Sequence, residues 1–326
     1  MADYQPVDIS KWCNSGVAVL GEDVEADIGS QSFRGLPFLV GAEGAGAGDD
    51  CFVSLEGTGG GVTIPIGQQA RRVVVAHRLL ETSVPEGGPL GVRVAEYVFH
   101  LSGGGEVRVP LRERFEIGNI HGDSKYMRGA PYLAVTDHGH TLKPRHEGRW
   151  ELAGRRQMES GQASARSYYL WAWENPEPER AVESLEINPS GPRFIVAAVT
   201  LGHLDEHPFS RQGRRPVRIV LTDPVDAQRD FDLDVEVDRG DTTYIHPLPL
   251  TSADEFLNDS YKGWGEEQNS KASPAYVEVS AIPSATVKVK RGTEEIGRVN
   301  WGEVEKKGAV DTPRMSVQLL DRGKNW

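Results

Sequence analysis

Along most of the chain, apolar and polar residues alternate with a period of two. The strand-like segments include "VTIPI" (62–66), "RRVVVAHRLL" (71–80), "GVRVAEYVFHL" (91–101) and "GEVRVPL" (105–111). They continue with "SYYLWAWEN" (167–175), "VESLEINP" (182–189) and "RFIVAAVTLGHL" (193–204). Most of these alternate at period two, which puts apolar side chains on one face of an extended strand and predicts half-buried β-strands. Turn-forming clusters separate them: "EGGPLG", "SGGGE", "NPEPE" and "NPSGP".

A second set follows a break at Pro208 to Pro216. It comprises "RPVRIVLTDP", "RDFDLDVEVD", "TTYIHPLPL", "AYVEVSAI", "ATVKVKRGTEEIGRVNW" and "RMSVQLLD". "RGTEE" (291–295) reads as a hairpin tip. Only "SADEFLND" (252–259) suggests a helix, with Ser252 as cap and Glu255 three residues on. The expected fold is therefore all-β: a jelly-roll-like antiparallel sandwich over 1–207, then one or two smaller β-sandwich units over 215–326.

Composition narrows this picture. Hydrophobic residues make up 38% of the 326, enough for a packed core rather than a disordered chain. The 37 glycines and 20 prolines suit many short strands. A net charge of −12 argues against a nucleic-acid partner. The local basic run Arg211, Arg214, Arg215 and Arg218 is expected to pair with acidic neighbours. The N-terminus, "MADYQPVDISKW", has no apolar signal core, and no apolar run is long enough to span a membrane. A cytoplasmic setting is expected, with Cys13 and Cys51 reduced and buried.

Three stretches carry candidate chemistry. "VTDHGHT" (135–141) holds His138 and His140, with His146 close by. A His-x-His pair on a strand puts two imidazoles on one face, which suits one zinc or manganese ion. The competing reading is a histidine-bearing loop, because Gly, Pro, Lys and Arg crowd the segment. "HLDEH" (203–207) offers two histidines and two carboxylates, yet it leaves a strand and meets Pro208, as a polar turn does. "RDFDLDVEVD" lines Asp230, Asp232, Asp234, Glu236 and Asp238 along one strand face. Same-face residues about 7 Å apart are too far for one calcium ion, so a solvated sheet edge is expected. There is no G-x-S-x-G elbow and no phosphate-binding glycine loop.

The aromatics admit two uses. Trp171 and Trp173 share a strand face with Tyr169, opposite Tyr168 and Leu170, and are expected in the core. Trp150, Trp264 and Trp301 sit among polar residues and are the expected exposed contacts with a ligand or partner.

The first 205 or so residues resemble a galactose-binding-like β-sandwich of large bacterial carbohydrate-active enzymes and hydrolases. The resemblance rests on "VDISKWCNSG", "FRGLPFLVG", the "VTIPIG…RRVVVAHRLL" pair, "VAEYVFHLSGGGEVRVPLRERFEIGN" and "YYLWAWENPEPERAVESLEI". The whole chain is similar to the N-terminal region of CehA/McbA-like metallohydrolases, in which a catalytic domain of the polymerase-and-histidinol-phosphatase (PHP) type follows. "VQLLDRGKNW" ends without a closing element, so a longer protein is expected to continue past Trp326. The resemblance implies a non-catalytic accessory region that binds substrate, such as a carbohydrate, or scaffolds domains. Its partner would be a downstream catalytic domain or a second copy of the chain. The alternative is a metal-dependent hydrolase using His138, His140 and His146.

Overall fold

The computed structural model describes residues 2–21, 25–120, 130–139, 165–243, 245–247 and 271–320, and the backbone of 141–144 and 158–161. The chain is nearly all β and antiparallel, sandwich-like as the alternation predicts. It divides into two compact units, residues 1–138 with 164–205, and 139–163 with 206–326. The strands up to Gly202 are β1 (Tyr4–Val7), β2 (Gly29–Phe33), β3 (Leu36–Val40), β4 (Val53–Leu55), β5 (Val62–Gln69), β6 (Arg72–Leu79), β7 (Arg93–Leu101), β8 (Glu106–Arg112), β9 (Val135–Thr136), β10 (Thr141–Pro144), β11 (Met158–Gly161), β12 (Tyr169–Glu174), β13 (Ala181–Pro189) and β14 (Phe194–Gly202).

In the first unit, two sheets face each other. One runs β1-β14-β6-β12-β9, with β4 also on β14; the other runs β5-β13-β7-β8. Val73, Val75, Trp171, Trp173, Val196 and Val199 from the first meet Tyr97, Phe99, Leu101, Leu185 and Ile187 from the second. Trp171 and Trp173 are core residues, 7% and 5% exposed. Trp173 stacks on Phe99 at 3.7 Å between ring centroids, joining the sheets.

All eight residues of β6 and all nine of β14 are buried, so both faces of these strands are covered. The second cover is the β2–β3 hairpin, a sheet of its own. Thr200 Oγ1 on β14 donates to Pro37 O at 2.6 Å, and Phe33 lies 5.5 Å from the Tyr168 ring. Phe52 also packs on Tyr168, at 6.0 Å. Cys51 is buried and Cys13 half-buried, both free. Burial raises their thiols to about 11 and about 12, which makes them unreactive at neutral pH.

His77 is wholly buried in this sandwich. Its Nε2 faces Glu116 O at 2.8 Å and its Nδ1 faces Tyr97 OH at 2.9 Å. A carbonyl only accepts, so Nε2 carries the proton and Nδ1 accepts from the phenol. Burial lowers the His77 pKa to about 4.

The second unit adds β15 (Arg215–Leu221), β16 (Leu233–Val237), β17 (Gly240–Thr242), β18 (His246–Pro247), β19 (Ala275–Ala281), β20 (Thr286–Arg291), β21 (Glu294–Asn300), β22 (Ala309–Asp311) and β23 (Met315–Leu319). A sheet β17-β19-β15-β23-β22, with β18 on β19, packs on the sheet β16-β20-β21. Here alternation is strict: Val217, Ile219 and Leu221 point inward from β15, and Val277 and Val279 from β19. β20 and β21 form the hairpin at 291–295, turning at Gly292 with φ 56°.

Among the described residues, two short α-helices escape the period-two reading: α1 (Pro224–Ala227) and α2 (Trp301–Lys307). The Asn300 side chain accepts from Glu303 N at 3.0 Å, and Gly308 closes α2 at φ 76°. Trp301 is therefore not an exposed contact. It is the first residue of α2, 1% exposed in the core with Val304. The segment 252–259, expected as a helix, lies outside the described residues.

β1, β5 and β8 lie on sheet edges, and they carry Pro6, Pro65 and Pro110. A proline has no N–H to offer an incoming strand, so these edges resist pairing with another chain. Pro65→Thr combined with Pro110→Val should therefore increase concentration-dependent self-association, measured by sedimentation velocity; an unchanged sedimentation profile would remove this role.

The second expectation concerns pH. The unfolded His77 binds a proton below about 6.5, whereas the folded one does so only near 4. Stability is therefore full above pH 6.5 and falls between 6.5 and 4, by on the order of 3 kcal/mol from this residue. Urea unfolding across that range should show the slope, and His77→Gln should flatten it.

Candidate functional site

The chemistry-bearing residues of "VTDHGHT" fall at the end of β9, on the margin of the first unit. β9 pairs with β12 through Tyr169↔Thr136, and Asp137 N continues the ladder by donating to Tyr168 O at 3.2 Å. Asp137 then turns its carboxylate into the protein, at 0% exposure. Oδ1 accepts from Arg166 N at 2.9 Å, and Oδ2 accepts from Ser167 N at 2.7 Å and Tyr168 N at 3.0 Å. Three successive amides thus satisfy a buried charge that would otherwise be costly.

His138 follows, half-buried. Its Nδ1 lies 3.0 Å from Asp137 Oδ1, yet the atom is buried and makes no hydrogen bond, because the ring does not aim an N–H at that oxygen. Asp27 enters from the stretch before β2. Its Oδ2 takes a 3.5 Å contact from Ser167 Oγ, and its backbone oxygen accepts from Tyr168 OH at 2.9 Å. Donor atoms of Asp27, Asp137 and His138 all lie within 4.8 Å of one another. Among the described residues, these are the three side chains that could share one metal ion.

Arg34 holds the segment in place. The β2–β3 turn is Arg34-Gly35, at φ 51° and 78°. This is the type I′ pattern of a two-residue hairpin, normally built with Asn-Gly. An arginine there costs about 1–2 kcal/mol of backbone strain. Its side chain offsets that cost. Nε donates to Thr136 O at 2.5 Å, and Nη2 donates to Thr136 Oγ1 at 2.8 Å and His138 O at 3.1 Å. Arg78 of β6, 8% exposed, donates to Ile120 O at 3.0 Å. Burial holds its guanidinium below the usual range, with Tyr168, Tyr169 and Asp137 acting against that shift.

The partners expected for His138 were His140 and His146; both lie outside the described residues, as do Trp150 and Trp264. Asp27 and Arg34, more than a hundred residues away in sequence, are the neighbours instead. No pattern around Asp27 marks it as a ligand. The Arg-Gly pair in "FRGLPFLVG" does carry a turn signal that would have placed Arg34 at a hairpin tip.

The other candidates have structural roles. His207 Nδ1 accepts from Phe209 N and Ser210 N, each at 3.2 Å. Glu206 accepts from Ser284 N at 3.2 Å and from Ser284 Oγ. Of the carboxylates of "RDFDLDVEVD", Asp234 and Glu236 stand on β16, the edge of its sheet, where Glu236 meets Lys290 at 2.7 Å; Asp232, just before the strand, meets Arg291 at 2.9 Å. Arg211 pairs with Asp241 at 2.7 Å, and Arg215 with Glu305 at 3.5 Å.

The chain is thus an all-β, sandwich-like protein with one Asp-Asp-His donor cluster among its described residues. No family model matches it, and neither a curated protein nor a solved structure gives a significant match. No helix among the described residues is long and apolar enough to cross a membrane.

Removing Asp137 should be costly for a structural reason. Asp137→Ala leaves three amides without acceptors and should lower stability by about 3 kcal/mol, while Asp137→Asn, which keeps one oxygen, should lose less. Urea denaturation measures both; equal stability of the Ala variant and the parent would contradict the buried-cap role.

Proposed function

We propose that this chain is a non-catalytic β-sandwich region of a larger PHP-type hydrolase, serving to bind substrate or to hold domains together. The observation that carries the reading is where the reactive groups are spent. His77 is fixed between Tyr97 and Glu116, Asp137 caps three amides, and Glu206 caps Ser284. These partners are parts of the fold itself rather than groups converging on a reaction centre.

The surface of the first unit supports a contact role. Tyr132, Leu133 and Leu90 are 66%, 56% and 57% exposed. Tyr132 lies 5.8 Å from the Phe115 ring, with the Arg114 guanidinium over Tyr132 at 5.3 Å and that of Arg112 over Phe115 at 4.7 Å. Aromatic rings backed by arginines suit the flat apolar face of a sugar or a neighbouring domain. A shallow sugar site of this kind binds near the millimolar range, about −4 to −6 kcal/mol.

The test has two arms. The full chain is screened against esters, phosphoesters, amides and glycosides with added zinc or manganese, and no turnover is expected. Turnover abolished by His138→Ala would overturn the accessory reading in favour of the hydrolase. In the second arm, glycan titrations followed by NMR should lose their shifts in Tyr132→Ala; shifts that persist unchanged would move the contact surface elsewhere.

A further inference from the structure

We propose that Asp27, Asp137 and His138 hold one divalent transition-metal ion, manganese or zinc, that fastens the lead-in of the β2–β3 hairpin to the end of β9. This is a stabilising role, independent of the accessory reading above.

The starting point is the meeting of Asp137 Oδ1 and His138 Nδ1. They lie 3.0 Å apart, the nitrogen is shut off from solvent, and no hydrogen bond joins them. A buried ring nitrogen without a hydrogen bond is costly, and a cation held by both residues would engage it. The carboxylate has the capacity. Of its four lone-pair directions, three accept from backbone amides, and the fourth is on Oδ1, the oxygen nearest His138. Asp27 supplies the third donor within 4.8 Å, and among the described residues its carboxylate takes only the 3.5 Å contact from Ser167 Oγ.

The donor set selects the metal. Two carboxylates and an imidazole suit manganese or zinc, whereas calcium takes oxygen ligands. Donors about 2.1 Å from an ion and 3.0 Å apart subtend about 90° at it, the angle of a six-coordinate site, which favours manganese; zinc at a tetrahedral site needs the pair to open by a few tenths of an ångström.

The surroundings fix the role. Asp27 precedes the hairpin whose tip carries Arg34, and Arg34 grips Thr136 and the His138 carbonyl. One ion would thus close a second tie between the same two segments, about a hundred residues apart in sequence. Asp137, already engaged by three amides, cannot swing to follow a reacting group. The nearby Arg78 guanidinium weakens the pull on a dication, so micromolar rather than nanomolar affinity is expected.

The test uses the full chain, stripped with EDTA and titrated with manganese or zinc chloride by calorimetry, with thermal unfolding in parallel. The expected result is one saturable equivalent and a rise in Tm of several degrees, as for a ligand that binds only the folded state. His138→Ala and Asp27→Asn should each weaken binding at least tenfold. His100→Ala, which removes a histidine bound to Glu186 elsewhere in the unit, should not. If His138→Ala fails to fold, Asp27→Asn decides alone. No saturable equivalent, or equal affinity in parent and Asp27→Asn, would overturn the proposal, since it would leave only adventitious binding.

Discussion

Everything in the first unit follows from the need to cover the six-stranded sheet on both faces. β6 and β14 are buried from end to end, so a two-layer sandwich cannot satisfy them. One face takes the second sheet, with Phe99 stacked on Trp173 as the tightest aromatic contact. The other takes the β2–β3 hairpin, Phe52 and Tyr168. That second layer is small, and its rim is where Asp27, Arg34, Asp137 and His138 meet. The donor cluster is a by-product of closing an apolar layer with polar residues. Its position is inherited from the hydrophobic arrangement, because Phe33 must sit on Tyr168 before Arg34 can reach Thr136.

Several buried polar groups of the first unit are handled by local saturation. Asp137 has its amides, His77 a phenol and a carbonyl, and Asn119 donates to Leu79 O at 2.9 Å. Such partners make burial tolerable, but they also remove the groups from chemistry, because a lone pair or proton committed to the fold is not available to a substrate. The Asp137–His138 pair departs from this pattern. There His138 Nδ1 is buried beside Asp137 Oδ1 without a hydrogen bond, and the cation proposed above would engage it.

The second unit relies on a different balance. Its strands β15, β19 and β23 alternate strictly, its core is built from valines, isoleucines and small residues around Trp301, and charges stand outside in cross-strand pairs such as Glu236 with Lys290. The acidic strand β16 keeps its carboxylates on a sheet edge, where they discourage a further strand from pairing. The edge prolines of the first unit do the same by removing a donor. Both devices suit a chain whose sheets would otherwise present long open edges.

The sequence by itself determined the strands, their inward faces, the core placement of Trp171 and Trp173 and the 291–295 hairpin, because period-two burial is a local property. It missed α2 because Asn300, Glu303 and Gly308 are quieter signals than the alternation that runs up to them, and so it left Trp301 on the surface. Continuous apolar runs such as "RRVVVAHRLL" declared burial but not the identity of the layer on each side. Only the tertiary structure decided that. Cross-strand register and the packing of the β2–β3 hairpin bring Asp27 and Arg34 to His138 across more than a hundred residues, and a contact made by packing at that separation leaves no periodic trace in the chain.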